Sequence, residues 1–421
     1  MRSIFKAKAK PLRKVRDEER NQHGEAKLDT AANGIRPFEI DVSDAALEDL
    51  RARLQRTRWP HAIPGVGWSQ GSNLEFIQHL VERWLEYDWR HHEAKLNAFH
   101  HCRAEVDGLG LHFVHERGVG PAPVPILLGH GCFSSFYEFH HVIRALADPA
   151  SYGGDPADAF DVVAWSLPGF AFSDKPDERG WGCGRMADAA HSLMRDVLGY
   201  ERYGAVGGSW GGTIAWRLCT EYKDSSLGMF LTQPPAMGAH QAPGQPPLTP
   251  AEEEYTRKGE EFELEERGYY RILTTRPESL AFALADSPAG LAGWVAEKLR
   301  VWSDCHGELG SVVPMEEILT SLSITWFTES IASSHRIYYE SMHGDWMLGP
   351  EDRFDVRTGV LSLPGGLPYE AIPEETCRRI FDNLQYYKAA PSGGHWPAWE
   401  QPDVFVEAVR DFYRPIRAAA A

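Results

Sequence analysis

Residues 207–211 read Gly-Gly-Ser-Trp-Gly, a G-x-S-x-G pattern between a short apolar run, Tyr203–Val206, and a helical pattern over about 211–222. Small residues on both sides let the chain turn sharply enough to lift the Ser209 hydroxyl above a sheet end. The helix behind it aims N–H groups and the positive end of its dipole at the same place. A serine hydroxyl becomes a nucleophile only beside a base. Gly393-Gly394-His395 follows the last apolar run and precedes the last helical pattern. At that turn a doubly wound sheet can bring a histidine back over such a serine, which selects His395 from the 18 histidines. An acid between them in the chain completes the set, and Glu370, Glu374 and Glu375 are candidates. Asp352 and Asp355 precede the penultimate strand and are less well placed. An oxyanion needs two backbone donors. One is the N–H of Trp210, and the other comes from the turn His130-Gly131-Cys132-Phe133, where Cys132 and Phe133 are the choices. Such a set suits acyl chemistry. His395 must be neutral to take the serine proton, so activity is expected to rise through its titration near neutral pH.

These residues need a parallel sheet to position them. Val124–Leu128, Phe160–Trp165, Tyr203–Val206, Leu227–Leu231, Val356–Leu363 and Leu384–Ala389 are short apolar runs, most ending in Gly-rich turns. Buried parallel strands read this way, so the class is α/β with a mostly parallel, doubly wound sheet. Before them lies a helical segment, 36–95, in which Ser43 caps a pattern through Leu54 and a second pattern covers about 74–86. The strand rhythm breaks over 234–345, a helical, acidic and aromatic block that reads as an inserted lid. Core segments are then 96–233 and 346–421. The first 16 residues hold seven basic and no acidic side chains, which predicts a disordered basic tail over 1–35.

A formal charge of −17 makes nucleic acid and anionic membranes poor partners. No apolar run is long enough to span a bilayer, so no membrane anchor is expected. Six scattered cysteines form no CxxC pair, which suits a reducing, cytoplasmic setting. No metal-ligand cluster, Walker loop or dinucleotide fingerprint appears, so the expectation is no cofactor, no metal and a small-molecule substrate. The N-terminal helical segment could wrap its own core or reach a second copy, which leaves a homo-oligomer open.

Beyond these patterns, residues 36–413 resemble the microsomal-type and juvenile-hormone-type epoxide hydrolases of the α/β-hydrolase fold. The resemblance is carried by PFEIDVSDAALEDLRARLQRTRWP, SFYEFHHVI, WSLPGFAFSDKP, DSPAGLAGWVAEK, SSHRIYYE and GGHWPAWEQP, in that order. It implies that LPYE at 367–370 makes Glu370 the acid, that His395 is the base, and that Tyr338 and Tyr269 are two lid tyrosines that hold an epoxide oxygen. In that family the elbow reads GGDWG and its Asp attacks the epoxide carbon, whereas this chain has Ser209. The usual H-G-x-P turn is also changed, to His130-Gly131-Cys132-Phe133.

The change of nucleophile decides the chemistry. Aspartate attack gives an alkyl ester, which water cleaves at its carbonyl. Serine attack on an epoxide would give an ether with no carbonyl to attack, and turnover would stop. Serine with histidine and glutamate suits an acyl-serine intermediate. The reading is therefore a serine hydrolase for a carboxylic ester or lactone of a bulky apolar molecule. The alternatives are epoxide hydrolysis by water that His395 or Glu370 activates directly, acyl transfer or cyclisation in biosynthesis, and a non-catalytic binding role.

Overall fold

The computed structural model describes residues 34–234, 238–242, 244–344, 353–367 and 371–420. Glu370, Asp352 and nearly all of the expected basic tail lie outside these residues.

Nine strands form one sheet: β1 (Arg36–Pro37), β2 (His101–Val106), β3 (Leu109–Glu116), β4 (Val124–Gly129), β5 (Phe160–Trp165), β6 (Tyr203–Gly207), β7 (Ser226–Leu231), β8 (Thr358–Ser362) and β9 (Leu384–Ala389). Their order is β1-β2-β3-β5-β4-β6-β7-β8-β9. From β5 to β9 every neighbour is parallel, and β1 to β3 add an antiparallel edge. Every residue of β5, β6 and β8 is buried, as strands covered on both faces must be. The β2–β3 hairpin turns on Asp107 (φ 50°) and Gly108 (φ 75°), a left-handed pair that an Asp-Gly turn supplies.

The strand order reverses at β4, which lies between β5 and β6. The crevice at the carboxyl ends of β4 and β6 is therefore a switch point, where ligands bind in open α/β sheets. Ser209 follows β6 and the 130–133 turn follows β4, so the reversal brings them together.

Before the sheet come α1 (Asp44–Gln55), α2 (Leu74–Glu86) and α3 (Trp89–Leu96). The Ser43 and Asn73 side chains cap the first two. Covering the sheet are α4 (Ile143–Ala147), α5 (Cys183–Ser192) and α6 (Ser209–Glu221). Six helices inserted between β7 and β8 follow, in the block expected to be a lid: α7 (Pro250–Glu265), α8 (Gly268–Thr275), α9 (Pro277–Asp286), α10 (Pro288–Trp302), α11 (Met315–Phe327) and α12 (Ile331–Met342). The chain closes with α13 (Glu374–Ile380), α14 (Pro397–Glu400) and α15 (Pro402–Ala420).

The N-terminal helices pack on the lid of their own chain. Trp84 Nε1 donates to Ser323 Oγ on α11 at 2.9 Å, and Trp89 meets Phe327 edge-on at 4.9 Å. The far end of the lid is clasped by Glu252, a fully buried residue of the α7 capping box, whose carboxylate pairs with Arg379 of α13 at 2.5 Å. Among the described residues no helix is long and apolar enough to cross a membrane.

Candidate active site

Ser209 sits at φ 51°, a left-handed conformation that costs a non-glycine residue strain. Two glycines make room for it. A Cβ on Gly211 would lie 1.9 Å from the Gly129 carbonyl oxygen, so only glycine lets α6 start this close to β4. A Cβ on Gly131 would lie 2.4 Å from the Ser209 Cβ and 2.7 Å from its Oγ, so the turn after β4 passes directly beside the hydroxyl. Phe133, two residues on, is also left-handed at φ 62°. The Trp210 N–H at the start of α6 and the N–H groups of this turn thus flank one point.

Cys132 is buried at this turn and hydrogen-bonded to Tyr338, with its thiol pushed far up by burial. It is therefore a thiol at neutral pH, a packing group with no nucleophilic role. The Phe133 ring forms part of an apolar wall with Tyr269, Trp294, Trp302 and His335, at ring separations of 5.2–6.2 Å.

Both lid tyrosines face the elbow. Tyr338 of α12 meets Trp210 at 5.1 Å and hydrogen-bonds to the Trp210 and Cys132 side chains. Tyr269 of α8 meets Tyr338 at 6.1 Å and 89°. Burial raises both hydroxyls well above their usual titration, so at neutral pH they keep their protons and can donate a hydrogen bond.

His395 is buried, with its ring 4.8 Å from Trp302, and its position is set by backbone on both sides. Its N–H donates to the Trp302 carbonyl at 2.8 Å. Glu400 of α14 accepts the N–H groups of Asp304 (2.7 Å), Gly394 (3.1 Å) and Trp396 (3.0 Å), and Asp304 accepts that of Gly393 at 2.8 Å. Burial pushes Glu400 up to about 7 despite these donors. Burial also lowers His395 to about 3. The imidazole is thus neutral, as a base must be, but its titration lies far below the near-neutral value expected from sequence.

Gln233, two residues past β7, links the two halves of the site. Its Oε1 accepts the Ser209 N–H at 2.7 Å and its Nε2 bonds to His395 Nδ1. A backbone N–H can only donate, so the amide NH₂ faces the ring and Nδ1 accepts. The neutral imidazole then carries its proton on Nε2.

Among the sequence candidates, Ser209, Trp210, Cys132, Phe133, Tyr269, Tyr338 and His395 converge. Glu370 lies outside the described residues. Glu374 pairs with Arg378 at the surface, and Glu375 and Asp355 are exposed, so none of the three reaches His395. Gln233, Glu400 and His335 escaped sequence reasoning. For Gln233 a signal existed: the turn after β7 adjoins the elbow, and LTQPP places a side-chain amide there.

His335 is buried and lowered to about 3 by desolvation. Trp294 Nε1, a pure donor, points at its Nε2 from 3.4 Å, which leaves the proton on Nδ1. That Nδ1 has no partner among the described residues. It is a spare donor in the lid wall. A surface cleft of about 820 Å³ between Lys175–Trp181 and the Arg276 and Arg336 segments holds none of these residues.

Sequence showed no metal-ligand cluster, yet His140, His141 and Glu317 bring three ligand atoms within 4.8 Å of one another. Glu317 is 176 residues from His141, a separation no local motif reveals.

Residues 35–139 match the epoxide hydrolase N terminus family and residues 124–282 the alpha/beta hydrolase fold family. A Stigmatella aurantiaca (strain DW4/3-1) protein that bears an epoxide hydrolase name is 39% identical over 389 residues, covering 91% of this chain and 86% of its own length. Juvenile hormone epoxide hydrolase of Bombyx mori is 31% identical over 406 residues, covering 89% of this chain and 85% of its own. The crystal structure of the silkworm enzyme superposes with a TM-score of 0.78 at 27% identity, covering 94% of this chain and 96% of that one. The Aspergillus niger epoxide hydrolase structure gives 0.78 at 26%, covering 93% and 99%.

Proposed function

The chain belongs to the epoxide hydrolase family of the α/β-hydrolase fold, and from that premise we propose that Ser209 turns this scaffold to acyl chemistry. The protein is then a serine hydrolase that cleaves a carboxylic ester or lactone of a bulky apolar molecule. The observation that carries this reading is the elbow itself. A serine stands at φ 51° beside Gly131 and the α6 N-terminus, where an alkyl-serine ether would be a dead end.

Ser209 Oγ gives its proton to His395 as it attacks the substrate carbonyl. For this the hydroxyl takes the place of the Gln233 amide on the ring lone pair. The tetrahedral oxyanion is held by the Trp210 N–H and the N–H of Cys132 or Phe133. His395 returns the proton to the leaving alkoxide, then activates water to cleave the acyl-serine. Glu370 is the acid that orients His395 in this scheme. Tyr269, Tyr338 and the His335 Nδ1–H offer three donors in an apolar wall. They suit a substrate that carries an acceptor oxygen within a large hydrophobic body.

The second reading is epoxide hydrolysis by water that His395 or Glu370 activates directly, without a covalent intermediate. The paired tyrosines, 6.1 Å apart and poised to protonate an oxide, favour it, as do the names of the relatives. Turnover of aryl esters and lactones beside aryl-substituted epoxides tests the two. The acyl reading predicts ester turnover that falls by at least about 10³-fold in Ser209→Ala. Inert esters, with epoxide opening that survives Ser209→Ala, would establish the second reading instead.

A further inference from the structure

Glu317, in the first two turns of lid helix α11, lies against two adjacent core histidines that follow the 130–133 turn. Its carboxylate is 3.5 Å from His140 Nε2 and 3.1 Å from His141 Nε2. The roles of the ring atoms follow from their other partners. His140 Nδ1 is 2.7 Å from the Tyr137 carbonyl oxygen, which can only accept, so the proton is on Nδ1. The Nε2 lone pair of His140 therefore faces a carboxylate. Two acceptors at that distance need something positive between them: a proton or a metal ion.

The surroundings suit an ion. Metal-bound histidines commonly donate their second ring N–H to a carbonyl, which is the His140–Tyr137 contact, and ligating carboxylates take a further hydrogen bond, which Trp399 Nε1 gives Glu317. A tetrahedral ion with bonds of about 2.0–2.1 Å has ligand atoms about 3.3 Å apart, which brackets the two N···O separations. The cluster is also reachable, since the side chains are 15%, 39% and 16% exposed. The two imidazoles lie 3.8 Å apart, a poor arrangement for two imidazolium cations and a natural one for two neutral ligands of one ion.

We propose that His140, His141 and Glu317 bind one divalent ion of borderline softness, with Zn²⁺ the fitting case, and that the ion clasps the lid to the core. Three protein ligands leave a fourth position open to water. The clasp ties α11 to the segment after the oxyanion turn and, through Trp399, to α14 behind His395.

The test uses the full chain stripped with EDTA. Co²⁺ is titrated for its visible absorption bands, and Zn²⁺ for its effect on the melting temperature. One ion per chain is expected, with Tm raised by about 3 °C or more at saturating Zn²⁺. His141→Ala, at a side chain that is 39% exposed, should weaken binding at least about 100-fold. Glu317→Gln should do the same, and Trp399→Phe should cost about 10-fold. Absence of binding would overturn the proposal, as would equal binding by wild type and both ligand variants. So would a Tm that answers to pH but not to Zn²⁺, which would assign the cluster to an imidazolium–carboxylate contact.

Discussion

The carboxamide of Gln233 stands on Nδ1 of His395 while its oxygen holds the N–H of Ser209. One neutral side chain thus spans nucleophile and base and sets which ring nitrogen carries the proton. Replacing it by a carboxylate tests this coupling. Gln233→Glu puts a negative charge beside the ring, which favours imidazolium and raises the His395 pKa. Because only the neutral ring accepts the Ser209 proton, the acidic limb of kcat/KM should move to higher pH, by about a unit or more. The wild-type limb due to His395 should lie below about pH 5, given a pKa near 3. A profile that Gln233→Glu does not shift would show that the amide does not govern the base.

Burial of several histidines makes the fold acid-sensitive. His130 is lowered to about 4, and His335 and His395 to about 3, each by desolvation. The unfolded chain takes up protons on these groups below about pH 6.5, whereas the folded chain does not until pH 4 or below. Stability is therefore lost as pH falls from about 6.5 to 4. Thermal unfolding across that range should show a falling Tm with net proton uptake; an unchanged Tm would contradict the burial of these rings.

Glu138 gives the opposite limb. It is buried beside Ser134 and the Gly131 N–H, and burial pushes it up to about 8. The folded chain keeps a proton that the unfolded chain releases above about pH 4.5, so stability declines as pH rises towards 8. Glu138→Gln removes this titration and should flatten the decline between pH 5 and 8. Parallel Tm curves for the two proteins would refute it.

Glu400 holds the His395 turn through three backbone N–H groups. Glu400→Ala would leave those donors unpaired in a buried place, at roughly 1–3 kcal/mol each if nothing replaces them. The expected result is a clear loss of denaturation midpoint together with activity, whereas Glu400→Gln, which retains an acceptor oxygen, should recover much of both. Equal stability of the Ala variant and wild type would deny Glu400 this role.

Gly131→Ala probes the closeness of the turn to the nucleophile. Its methyl would meet the Ser209 Cβ at 2.4 Å, so either the turn or the hydroxyl must move. Activity should fall by about 100-fold or more in protein that remains folded, because the oxyanion donors and Oγ share that geometry. Near-normal turnover would mean that the turn is not part of the site.

Much of this was legible before any coordinates. The elbow was readable because strand, Gly-Gly-Ser-Trp-Gly and helix occur in sequence, and His395 because it occupies the last strand-to-helix turn. The two lid tyrosines were named through blocks of residues that resemble a family. Periodicity alone would have left Tyr269 as packing. The β2–β3 hairpin was less visible because histidines and charged residues interrupt the apolar residues of its strands. Gln233, Glu400 and His335 were not legible for a different reason. Gln233 acts through partners 24 and 162 residues away, Glu400 partly through Asp304, 96 residues away, and His335 through burial, none of which a single polar letter encodes. The same holds for the pKa of His395: a histidine is near neutral by type, and only its enclosure by Trp302 and Trp396 moves it down.

Acyl chemistry at this elbow requires Ser209 to be an activated nucleophile. Intact mass after incubation with a fluorophosphonate tests it most directly, beside Ser209→Ala and His395→Ala. The account predicts one phosphonyl adduct per chain on wild type, none on Ser209→Ala, and much slower labelling of His395→Ala. Folded wild-type protein that takes up no adduct, or that is labelled equally in Ser209→Ala, would contradict it.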